Sequence, residues 1–173
     1  MRDALSILDQ VLAYSGNTLR QEDILEIANM FIEKGNIVEI IYRNNNKKII
    51  TADDSQKTLK KPVVILVNGA SASASEIFSG ALKDYNRATL VGRKTFGKGL
   101  VQKVVMLPNN TGLNVTIAKY LTPNGTDINK LGIKPDIEVG NEFDLFLDDS
   151  KKDVQLETAK RTLNKTLLNL SKK

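Results

Sequence analysis

Three serines and one lysine, set among small residues, are the side chains best placed to do chemistry in this 173-residue chain. Ser71, Ser73 and Ser75 alternate with alanine in NGASASASE, and Lys98 stands between two glycines in TFGKG. A serine at a junction from buried strand to helix points into a cleft, and the N–H groups at the helix start are the donors an oxyanion requires. The chain holds no histidine and no cysteine. Ser-His-Asp and Cys-His catalysis, and the common zinc and thiol sites, are thereby excluded. The remaining familiar base for a serine is a neutral lysine. Lys98 fills that role only if burial keeps it uncharged away from any carboxylate, with Phe96 and Leu100 as apolar neighbours. The residues alone leave all three serines open as the nucleophile.

Two other motifs compete for the same stretch and fail. Residues 92–98 fit G-x-x-x-x-G-K, but Gly99 stands where a phosphate-binding loop carries Ser or Thr, and a strand pattern follows where a helix should open. Gly69-Ala70-Ser71 begins like a nucleophile elbow, but it lacks the second glycine and the chain lacks the histidine.

The elements that must position these residues are legible from hydrophobic spacing. Residues 63–67 form a continuous apolar run of the kind a strand covered on both faces needs. A helix over 75–84 buries Ile77, Phe78, Ala81 and Leu82, and 88–91 is the next buried strand, which makes a βαβ crossover. Upstream, 3–14 has helical spacing with a strand over 7–14 as its competitor, and 22–34 is an amphipathic helix with Gly35 just beyond. Residues 36–43 and 47–51 pair as a hairpin around NNN, its Lys- and Asn-rich edge suited to an exposed strand. Residues 101–107 and 113–120 make a second hairpin around PNNTG, 133–139 is a short extended piece, and 153–170 is a helix docked on the core. The pattern is α/β, in one domain over residues 1–173, with no internal repeat or low-complexity tract.

Composition narrows the partners. The net charge is +5, but its 25 basic and 20 acidic side chains are interspersed and only 5% of residues are aromatic. No stacking platform lies beside a basic stripe, so nucleic acid is not expected as a partner. No apolar run is long enough to span a membrane and no signal peptide opens the chain. No metal or other cofactor is expected.

Residues 67–102, VNGASASASEIFSGALKDYNRATLVGRKTFGKGLVQ, closely resemble the signature of the C-terminal processing peptidases (tail-specific proteases, serine peptidase family S41). The likeness continues through LNVTIAKYLTPNGTDINKLGIKPDIEV and covers roughly residues 22–163. It implies a ClpP/crotonase-like core, a mixed sheet with ββα units and flanking helices. It implies a serine endopeptidase that cleaves unfolded or extended polypeptides with accessible C-termini through an acyl-enzyme. Ser73 would be the nucleophile, Lys98 its base, Gln102 the residue that orients Lys98, and the Ala74 N–H the first oxyanion donor. An extracytoplasmic location, the bacterial cell envelope or periplasm, goes with the family.

Two departures accompany the resemblance. The family's Asn-Pro-Gly-Gly loop corresponds to LAYSGNTLR, where Gly16 is the replacement for the second oxyanion donor, with Asn17 next. The family's usual PDZ domain has no counterpart, which implies an excised or minimal core or a non-native character for residues 1–21. A homo-oligomer, or a PDZ domain elsewhere in the parent protein, would complete it. The rival reading is a catalytically silent core that binds peptides or serves as a scaffold. An acyl-CoA enzyme of the crotonase type is a remote third, by analogy of fold alone.

Overall fold

A computed structural model of the chain describes residues 21–53, 58–140 and 153–172. In order they form α1 (Gln21–Asn29), β1 (Gly35–Tyr42), β2 (Lys47–Ala52), β3 (Val63–Val67), α2 (Ala74–Asp84), β4 (Ala88–Gly92), β5 (Leu100–Leu107), β6 (Thr111–Leu121), β7 (Ile137–Glu138) and α3 (Val154–Leu170). Four strands make an antiparallel sheet in the order β2-β1-β6-β5, and three make a parallel sheet in the order β3-β4-β7. Residues 1–20, with the helix-or-strand question over 3–14 and the Gly16 and Asn17 positions, lie outside the described residues.

The crossover forms as the apolar runs require. β3 pairs in parallel with β4 from Val63 opposite Ala88 to Val67 opposite Gly92, and α2 connects them. α2 buries Ile77, Gly80, Ala81 and Leu82, against a core that includes Ile37, Val38 and Leu90. Gly80 is needed for close approach, since a Cβ there would meet Ile133 Cδ1 at 2.9 Å. β7 adds to β4, where Asp136 donates its N–H to the Leu90 carbonyl and accepts the Leu90 N–H on its carboxylate. Both hairpins are present, and β2 is an outer strand, where Lys47 and Lys48 suit it.

Three local expectations are corrected. β3 is not covered on both faces: Leu66 is 42% exposed, and Val63, Val64 and Ile65 are only half-buried. α1 stops at Asn29 instead of reaching residue 34, because tertiary bonds take over its C-terminal groups. The Asn29 side chain donates to Asp53 Oδ1 and accepts the Asp53 N–H, each at 2.8 Å, while the Met30 carbonyl accepts from Leu59 N–H. Gly35 therefore opens β1 rather than capping a helix, at φ +118°. Finally, α3 docks only through its first half. Its N-cap Asp153 accepts from the Leu156 N–H and Ala159 is buried, but Leu167, Leu168 and Leu170 are exposed.

One loop beside β6 carries a pH-dependent tie. The Asp127 carboxylate meets Lys119 Nζ at 2.8 Å and accepts the Asn129 N–H at 2.9 Å. Burial works to raise its carboxyl, but the Lys119 hydrogen bond, the Asn129 N–H and the Lys119 charge outweigh it and hold it below the ordinary carboxylate value. A carboxyl lowered by folding adds stability above its unfolded pKa and loses it as pH falls through the folded one. Asp127→Asn should therefore lower the thermal midpoint at pH 7, by no more than about 2 °C for so exposed a pair. The gap should close below about pH 4. Thermal scans from pH 7 to pH 3 check this.

Candidate active site

The turn after β3 is held by its own side chains. Asn68 accepts the Ala70 N–H on its side-chain oxygen and the Ser71 N–H on its carbonyl, and its own N–H donates to Ser71 Oγ. Ser71 is thus occupied in shaping the turn. Ser75 is exposed in the first turn of α2, where its carbonyl accepts the Ser79 hydroxyl. Ser73 differs from both. It caps α2 with φ 55° and ψ −111°, a backbone geometry costly for a residue with a Cβ and characteristic of functional turns. The N–H of Ala74, the next residue, has no hydrogen-bond partner among the described residues, as expected for a first helical N–H.

The carboxylate of Glu76 joins this turn to the lysine loop. Glu76 is fully buried, and its two oxygens accept four hydrogen bonds. Oε2 accepts the Ser73 N–H at 3.0 Å and the Lys98 N–H at 2.8 Å, while Oε1 accepts the Gly97 N–H at 2.7 Å and the Thr95 hydroxyl at 2.5 Å. The backbones of Ser73 and Lys98 are therefore within two hydrogen-bond lengths of each other. Thr95, also buried, accepts the Ile133 N–H on the same hydroxyl, which extends the network into the loop before β7. A buried charge of this kind persists because each oxygen is satisfied twice by polar donors.

The loop around Lys98 needs its glycines. Gly97 has φ +90°, and a Cβ on Gly99 would sit 2.5 Å from the Asn129 backbone nitrogen. Gly99→Ala should push the Lys98 loop away from residues 129–132. Since a displacement of about 1 Å can cost about 10²-fold in rate, activity should fall by that order while the far-UV spectrum is retained. Circular dichroism beside peptide cleavage checks the two halves of this expectation.

Ser73 and Lys98 are thus tied to one carboxylate, but not every expected feature appears. Lys98 is exposed and has no ion pair among the described residues, so its environment lacks the expected burial; Phe96 beside it is 65% exposed. Gln102 is exposed on β5 and makes no hydrogen bond to Lys98. The alternation that would return it to the face of Lys98 is interrupted, because Lys98 precedes the strand and a bulge falls between Val101 and Gln102. Sequence reasoning missed Glu76 and Thr95. The available signal was Glu76 three residues after Ser73, the spacing of a reciprocal helix cap. Among the described residues there is no cluster of three or more potential metal ligands and no helix long and apolar enough to cross a membrane.

The fold is shared with known proteins. The model of peptidase family S41 matches residues 20–139. The chain is 43% identical over 118 residues to a chloroplastic C-terminal processing peptidase of Tetradesmus obliquus, covering 68% of this chain and 25% of that one. It is 45% identical over 136 residues to a carboxyl-terminal-processing protease of Synechocystis, covering 78% and 32%. The solved structure of a photosystem II D1 C-terminal processing protease superimposes with a TM-score of 0.66 at 39% identity, covering 83% of this chain and 35% of that one. The chain spans about a quarter to a third of the length of these relatives.

Proposed function

The chain belongs to peptidase family S41, and from that premise we propose that it is the catalytic core of a serine endopeptidase that cleaves extended polypeptides near their C-terminus. The observation that carries the reading is the Glu76 carboxylate, whose one oxygen holds the backbones of both Ser73 and Lys98. Ser73 Oγ attacks the scissile carbonyl and its proton passes to Lys98 Nζ, which is exposed in the free chain and serves as base once a bound polypeptide shields it from water. The tetrahedral oxyanion accepts the free Ala74 N–H. Lys98 then protonates the leaving amine, and the acyl group stays on Ser73 as an ester. Water, losing its proton to Lys98, hydrolyses that ester and restores the serine. Gly16 as the second oxyanion donor completes the proposal, and Gln102 becomes the orienting partner only when the exposed Lys98 side chain swings toward β5. An extracytoplasmic location goes with it.

The exposure of Lys98 favours one alternative, a core that binds peptides without turning them over. An activated p-nitrophenyl ester of an apolar peptide separates the two. Intact mass after a rapid quench should show one acyl group on the parent chain, mapped to Ser73, and none on Ser73→Ala. A folded parent chain that never acquires the acyl group leaves only the binding reading.

A further inference from the structure

We propose that Phe96 and Leu131 form an apolar shelf beside Ser73 that selects an apolar side chain of the bound polypeptide. The choice of a polypeptide as occupant rests on the reading above. The loops 95–97 and 130–133 run antiparallel: Thr95 N–H donates to the Ile133 carbonyl, Ile133 N–H to Thr95 Oγ1, and Lys130 N–H to the Gly97 carbonyl. Thr95 and Ile133 turn inward and are buried. Phe96 and Leu131, between those ties on the two segments, turn outward at 65% and 63% exposure.

This pair is joined to the candidate site by hydrogen bonds. The Phe96 N–H donates to the carbonyl of Ser71, two residues before Ser73, at 3.0 Å, and Phe96 lies two residues before Lys98. The Ser71 tie sets Phe96 next to the Ser73 turn, and the Lys130–Gly97 bond sets the Leu131 segment next to Phe96, so an extended chain bound at that turn would lie within reach of the pair. Lys94, Lys98 and Lys130 are all exposed around it. The surroundings are therefore cationic, and the shelf combines attraction for an apolar group with repulsion of a basic one. The exposed apolar residues Val104, Met106 and Leu113 on the β5–β6 hairpin have no such tie to Ser73.

The test uses the Ser73→Ala chain, so that binding is read without turnover. Labelled decapeptides carry one leucine, or one lysine, walked along a Gly/Ser/Asn background, and fluorescence anisotropy gives each Kd. At one position leucine should bind about 10- to 100-fold tighter than the leucine-free peptide, with lysine weaker than either. Phe96→Ser and Leu131→Ser should each remove most of that preference, Phe96→Leu should keep it, and Met106→Ser should leave it intact. The shelf is overturned by the absence of any preference, by a preference unchanged in the two shelf variants, or by equal loss in Met106→Ser. If the parent chain takes no acyl group while the preference still follows Phe96 and Leu131, the peptidase reading falls and the shelf stands.

Discussion

Ser73→Ala and Lys98→Ala should each remove cleavage of a disordered protein substrate, by about 10⁴-fold or more, and the double variant should be no worse than either single one. Nucleophile and base act as a unit, so losing one member forfeits nearly all that both supply. The two changes are separable from folding. Lys98 is exposed and unpaired among the described residues, so Lys98→Ala should leave the thermal midpoint where it is. Lys98→Arg keeps the charge but cannot surrender a proton, and it should be as inactive as alanine. Ser73 holds a positive φ, so Ser73→Gly should be inactive yet more stable than Ser73→Ala, by about 1 kcal/mol. Measuring kcat/KM beside the midpoint for the set decides the matter. A Lys98→Ala chain that retains a tenth of the parent rate would remove Lys98 from the role of base.

Glu76→Ala should be the most damaging single change outside the proposed Ser73–Lys98 pair. It strips the partner from three backbone N–H groups and the Thr95 hydroxyl in a fully buried space. Each orphaned donor is costly, and a loss of about 3–5 kcal/mol is expected. Glu76→Gln is more informative. Whichever way the amide is turned, its NH₂ faces a backbone N–H that the carboxylate had accepted. A loss of about 1–3 kcal/mol should follow, with the chain still folded. Because Glu76 acts by positioning, the folded Gln variant should lose kcat by about 10²-fold with KM little changed. Urea titration and a kcat against KM comparison read both effects. Parent-like stability and kcat in Glu76→Gln would show that the bridge between the two loops is dispensable.

The crossover was readable in advance because apolar runs, small turn residues and helical spacing all agree over residues 63–92, and the hairpins because NNN and PNNTG mark their turns. What stayed hidden depends on bonds made at long range. The early end of α1 follows from Asn29 meeting Asp53, which no propensity records. Leu66 reads as buried in its run, but which face of a strand its neighbours cover is set by tertiary packing and not by the local run. The last turns of α3 repeat the leucine spacing of a docked helix after the body beneath them has ended. Glu76 was missed for a different reason. A glutamate at a helix start reads as a solvent-facing cap, and its burial becomes intelligible only when Thr95, Gly97 and Lys98 arrive on its far side.

All four donors to Glu76 come from residues 73–98, in the crossover and the loop that directly follows it. The loop closures that assemble them are short, and short closures lose little chain entropy and form early. During synthesis the Ser73 turn and the Lys98 loop can therefore meet as soon as β4 and the residues just beyond it have left the ribosome. Residues 129–133 arrive later and lock the loop through Gly97 and Thr95. In order of chain growth, the candidate site is assembled first and the loop that braces it last.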